Sequence, residues 1–113
     1  MNFEELIKRT IEINSRFKKE FDDHDRVLSL VSEVGELADA VLEYDGGKEK
    51  GTRNPKGKAE IADALADLLY NLTLVAWHYE IDLPQEYAKV LDEVEKRLAD
   101  GEFVTAQKST DRG

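Results

Sequence analysis

The sequence predicts an all-α protein, a four-helix bundle module completed by dimerisation or tetramerisation. Three observations predict it. Four stretches carry apolar residues at helical spacing, and none alternates as a strand would. Only two prolines occur in 113 residues, and apart from Gly35 the glycines gather at 46–57 and toward the C-terminal end, so helix dominates. The third stretch is apolar around most of its circumference, more than a chain this short covers alone, which calls for a partner subunit.

The length suits one domain, residues 1–101, followed by a polar tail, 102–113, expected to be flexible. Charged residues are 36% and apolar residues 41%, a balance that excludes wholesale disorder. No apolar run reaches the ~18 residues that a membrane span needs. MNFEELIKRT has no basic segment leading into an apolar one, so no signal peptide is expected, and there is no cysteine for a disulfide or thiolate metal site. A cytoplasmic location follows as the expectation. A net charge of −9 argues against stable nucleic-acid binding, although metal ions or a local basic segment would let an acidic chain bind a nucleotide.

The first helix is expected over 3–21, where Phe3, Leu6, Ile7, Thr10, Asn14, Phe17 and Phe21 follow the helical repeat. Glu4 and Glu5 suit its positive end, and Lys18 and Lys19 its negative end. Asp22-Asp23-His24-Asp25 then supplies caps for a second helix over about 26–44. Val27, Leu30, Val31, Val34, Leu37, Ala38 and Val41 give this helix a broad apolar stripe. Glu33 and Glu36 lie together on one flank of the stripe, beside Ser29 and Ala40. Gly35, between the two acids, costs about 1 kcal/mol of helix propensity relative to alanine and raises the expectation of a close backbone approach.

Residues 44–58, YDGGKEKGTRNPKGK, read as a loop that is basic in an otherwise acidic chain. The third helix follows over about 59–80, where Ile61, Leu65, Leu68, Leu72, Val75 and Tyr79 line one face. Glu60, Asp63 and Asp67 share a flank that Asn71, Leu74 and His78 continue, and no basic residue occurs between Lys58 and Lys89 to mark a solvent face. Asp82 with Gln85 forms a capping box and Pro84 sits in the first turn of a fourth helix, whose stripe is Tyr87, Val90, Leu91, Val94 and Leu98.

Five carboxylates on two helix flanks are hard oxygen ligands, suited to Mg²⁺ or Mn²⁺ rather than Zn²⁺. One acid not tied to metal would orient or deprotonate a water while ions neutralise a phosphate. The basic loop, with Lys56 and Lys58, would either meet that phosphate or serve as a solvated connector.

SEVGELADAV, then EIADALADLLYNL, then IDLP resemble the MazG-like all-α nucleoside triphosphate pyrophosphohydrolases over about residues 26–98. The resemblance implies a dimeric or tetrameric four-helix module that binds Mg²⁺ through acids of two helices. It implies hydrolysis of a nucleoside triphosphate, deoxy or noncanonical ones included, to the monophosphate and pyrophosphate, and a role in nucleotide-pool sanitation. Glu33 and Glu36 match the second and third acids of the family's EExxE motif, whereas Ser32 stands in place of the first. The family's ExxD motif lies on Glu60 and Asp63 or, counting back from Ile81-Asp82-Leu83, puts its aspartate at Asp67 and its glutamate at Ala64.

The expected site is therefore Glu33, Glu36, Glu60, Asp63 and Asp67 as metal ligands, the first four also serving catalysis, with Lys56, Lys58 and Asn71 toward substrate. The rival reading is a non-catalytic nucleotide-binding or helical protein-interaction module with a degenerate acid site.

Overall fold

The computed structural model describes residues 1–17, 23–46 and 55–101. They form four helices, α1 (Phe3–Ser15), α2 (Asp23–Gly46), α3 (Pro55–His78) and α4 (Leu83–Ala99), with no strand among the described residues. The chain is all-α, as its periodicity predicts. It divides into two compact units, Met1–Ile81 and Asp82–Gly113. The tail beyond 101 lies outside the described residues.

Asn2 caps α1 by accepting the Glu5 N–H at 2.8 Å, and Glu4 and Glu5 occupy the first turn. The helix stops at Ser15 rather than 21. Its last carbonyls are taken by tight three-residue bonds, Arg16 N–H to Ile13 and Phe17 N–H to Asn14, both at 3.1 Å. The Ser15 hydroxyl donates to the Glu12 carbonyl at 2.6 Å and satisfies a further terminal acceptor. Phe17 thus leaves the helix and stays exposed. Lys18, Lys19 and Phe21 lie outside the described residues.

The segment expected as a loop over 44–58 is helical at both ends, since α2 runs to Gly46 and α3 starts at Pro55. Proline is well placed there, because a first helical residue needs no N–H and already has a helical φ. The intervening residues lie outside the described ones. At its other end α3 stops at His78, two residues early, because Glu80 takes a left-handed φ of 57°. The Ile81 N–H reaches the Ala76 carbonyl at 2.9 Å and the Glu80 N–H the Trp77 carbonyl at 3.0 Å, closing the helix with reversed bonds.

Helices α2 and α3 pack antiparallel, since Arg26 meets Asn71 at one end and Tyr44 meets Gly57 at the other. The half-buried residues of α2 repeat at helical spacing: Arg26, Leu30, Glu33, Leu37, Ala40, Val41 and Tyr44. Those of α3 are Gly57, Ile61, Ala64, Leu68, Tyr70, Asn71 and Val75. Helix α1 packs on α3 as well. The deepest side chains, Thr73, Leu74 and Ala76, lie near the C-terminal end of α3, with Leu74 only 2% exposed.

This packing splits the broad apolar stripe expected of α2. Leu30, Leu37 and Val41 turn inward, while Val27, Val31 and Val34 remain 43–67% exposed. On α3 Leu65, Leu69 and Leu72 are exposed too. The two glycines of this helix pair differ. A Cβ at Gly57 would stand 2.6 Å from Tyr44 Cδ1, so the ring lies directly on the helix backbone there. A Cβ at Gly35 would meet nothing within 4 Å, so the close approach expected at Gly35 falls at Gly57 instead.

In the second unit, Asp82 caps α4 by accepting the Gln85 N–H at 3.1 Å, Pro84 lies in the first turn, and Lys96 and Arg97 occupy the last. No described helix is long and apolar enough to cross a membrane.

Candidate active site

An open groove of about 340 Å³ runs between α2 and α3. From α2 it is lined by Glu36, Asp39, Ala40 and Glu43, and from α3 by Glu60, Asp63, Ala64 and Asp67. Helical spacing makes the groove acidic. Glu36, Asp39 and Glu43 recur at three and four residues along one flank of α2, as do Glu60, Asp63 and Asp67 along α3. Antiparallel packing then brings the two flanks face to face. Ala40 and Ala64 are the half-buried floor, and their small side chains leave room for the groove.

Among the described residues, six carboxylates and no basic side chain line this groove. Like charges gathered this way repel one another, and a divalent cation relieves the repulsion while gaining oxygen ligands. As the side chains stand, no three acids or histidines among the described residues converge closely enough to hold a metal ion. The donor chemistry nonetheless fits a hard cation. The groove acids are exposed, so their rotamers can change without repacking a core.

The five acids expected from the sequence do not stay together. Glu36, Glu60, Asp63 and Asp67 line the groove; Glu33, half-buried, turns to a neighbouring arrangement. Its Oε1 accepts a hydrogen bond from Asn71 Nδ2 at 2.7 Å. Asn71 Oδ1 in turn accepts from the Arg26 guanidinium at 3.0 Å. Arg26 and Asn71 line a second, smaller pocket of about 290 Å³ with Phe17, Ser29 and Tyr70. Ser29 and Ala40, which share a flank in the sequence, therefore serve different cavities.

Asp39 and Glu43 were missed by the sequence reading. Their signal was present, because they continue the period of Glu36 by one and two turns along α2. Ser32 is exposed and outside the groove lining, so the absent first acid leaves no gap in it. Both registers of the second motif reach the groove, since Glu60, Asp63, Ala64 and Asp67 all line it. Lys58 is exposed in the first turns of α3, and the Lys56 side chain lies outside the described residues.

An all-α chain with an acid-lined groove between two long helices agrees in fold with the helical pyrophosphohydrolases that the EVGEL segment resembles. The particular family follows from a match along most of the chain: the family model for phosphoribosyl-ATP pyrophosphohydrolase, PRA-PH, matches residues 1–98, and the chain belongs to that family. No curated protein matches it. Membership makes the chain a pyrophosphohydrolase, a hydrolase acting on a nucleotide.

Proposed function

We propose that this chain is a MazG-like, Mg²⁺-dependent enzyme that hydrolyses the α–β anhydride of a nucleotide's triphosphate group to the monophosphate and pyrophosphate. The observation that carries the reading is the groove lined, among the described residues, by six carboxylates and no cationic side chain. A nucleotide triphosphate is itself strongly anionic, so it enters such a groove only with divalent cations.

Glu36, Asp63 and Asp67 would hold the cation, Mg²⁺ or in its place Mn²⁺, with Glu60 as a further ligand or as the group that orients the attacking water. Asp39 and Glu43 extend the same donor set toward the end of α2. Glu33 completes it with the oxygen that Asn71 does not use. When bound, the ion neutralises phosphate oxygens and favours pyrophosphate departure. The protein residues position the water and take up its proton through a carboxylate. Lys56 and Lys58 supply phosphate contacts at the start of α3, while the work of Asn71 lies with Glu33 rather than directly with substrate.

The family description makes phosphoribosyl-ATP the first substrate to try. Deoxy and noncanonical nucleoside triphosphates carry the same reacting group and come next, which keeps pool sanitation within the proposal. Assembly as a homodimer or homotetramer belongs to it as well, supported by the apolar side chains that α2 and α3 leave exposed.

The test is pyrophosphate release from phosphoribosyl-ATP and a panel of ribo- and deoxynucleoside triphosphates, with and without Mg²⁺ or Mn²⁺. Metal-dependent release of monophosphate and pyrophosphate from at least one of them is expected. Binding that raises the melting temperature without cleavage of any would replace this reading with a nucleotide-binding module. Sedimentation as a monomer would remove the assembly.

A further inference from the structure

The Arg26–Asn71–Glu33 chain of hydrogen bonds joins residues 45 and 38 positions apart in sequence, so it forms only when α2 and α3 pack. We infer that Arg26 and Asn71 are positioning residues that fix the Glu33 carboxylate, one helical turn before Glu36, for cation binding. The inference rests on the metal-dependent reading above and adds to it two residues outside both acidic motifs.

The chemistry of the three groups dictates the order of the chain. A guanidinium only donates and a carboxylate only accepts, whereas an amide does one at each end. Arg26 must therefore face Asn71 Oδ1, which turns the Nδ2 group toward Glu33. The reverse amide orientation would set oxygen against carboxylate and NH₂ against guanidinium, so it is disfavoured at both contacts. Asn71 Nδ2 also lies 3.4 Å from the Asp67 carbonyl, one turn earlier on the same helix. The amide is thus held from three sides.

The consequence falls on Glu33. An exposed glutamate samples several rotamers, and ordering it costs entropy each time a cation binds. Glu33 is half-buried with Oε1 anchored at 2.7 Å, so that cost is already met in the fold. Hydrogen-bond partners that orient a ligand in this way generally change metal affinity about 10- to 100-fold when removed. Glu36, Asp63 and Asp67 stand exposed in the groove, where their carboxylates are free to change rotamer.

The experiment measures Mn²⁺ binding to the full-length protein without nucleotide, by loss of the free-ion electron paramagnetic resonance signal. Wild type is compared with Arg26→Met, Arg26→Lys and Asn71→Leu, and circular dichroism melting checks that each folds. Expected is Mn²⁺ affinity weakened about 10- to 100-fold in Arg26→Met and Asn71→Leu. Arg26→Lys should recover most of the loss, because an ammonium also donates to Oδ1. In the hydrolysis assay the Mg²⁺ concentration for half-maximal rate should rise in parallel, with kcat at saturating Mg²⁺ largely retained. Should Asn71→Leu fail to fold, the two Arg26 variants still decide the matter. Wild-type affinity in folded Arg26→Met, or no recovery in Arg26→Lys, overturns the inference and leaves the metal-dependent reading standing. Absence of Mn²⁺ binding by the wild type overturns both.

Discussion

Two ends of one helix pair handle carboxylates in opposite ways. Toward the end of α2 and the start of α3, Glu36, Asp39, Glu43, Glu60, Asp63 and Asp67 share a groove that no basic side chain among the described residues lines. Toward the start of α2, Glu33 is half-buried and tied through Asn71 to Arg26. The flank of α3 is the same throughout, and what differs is what packs around it. At Asn71 the helix is half-buried, and an acid held there must be matched by donors. Beside Ala40 and Ala64 it is open, and acids can accumulate until a ligand neutralises them. The comparison separates carboxylates free to rearrange around a cation from one whose geometry is set in advance by the fold.

The largest expected effect is on chemistry at the open end. Asp63→Asn and Glu36→Gln keep shape and remove charge, and each should lower Mg²⁺-dependent pyrophosphate release by roughly 100-fold or more, with the melting curve little changed. A loss of activity explained by unfolding would dissolve the distinction between the two ends.

Next is stability, where the same residue type should act with opposite sign. Glu33→Ala leaves the half-buried Asn71 Nδ2 without its carboxylate acceptor, a cost of about 1–3 kcal/mol in urea denaturation. Asp63→Ala in metal-free buffer should be neutral or stabilising by about 0.2–0.5 kcal/mol, because it relieves like-charge repulsion. Equal effects at both positions would erase the contrast.

The glycines give an equally direct comparison of similar size. Gly57→Ala drives a methyl into the Tyr44 ring and should destabilise by about 1–3 kcal/mol as the helix ends separate. Gly35→Ala meets nothing within 4 Å and should stabilise by about 0.5–1 kcal/mol through helix propensity. A further single-site effect lies at the C-terminal end of α3. Glu80→Gly removes the strain of a left-handed non-glycine residue at φ 57° and should raise stability by about 1 kcal/mol in the same denaturation series.

Much of this was legible in the sequence. Helical spacing located four helices and capping chemistry located the start of α4, because Asp82, Pro84 and Gln85 act locally. Helix ends were less legible. The tight bonds that stop α1 after Ser15 and the left-handed Glu80 that stops α3 carry no compositional mark. The groove acids of α3 were readable from their flank, and those of α2 only in part, since attention to Glu33 and Glu36 passed over Asp39 and Glu43. That Glu33 would turn away toward Asn71 was not readable. Glu33 and Glu36 are about 60° apart around a helix, given 3.6 residues per turn, and only the packing of α3 decides that one meets a donor and the other a groove.

The central claim is that the groove acids support cation-dependent cleavage between the α- and β-phosphates. The most direct measurement is product analysis in ¹⁸O-labelled water with Mg²⁺, for wild type and the Glu36→Gln/Asp63→Asn double variant. The account predicts monophosphate and pyrophosphate in equal amounts from the wild type and neither from the double variant. Release of orthophosphate, or undiminished cleavage after both groove acids are neutralised, would contradict it.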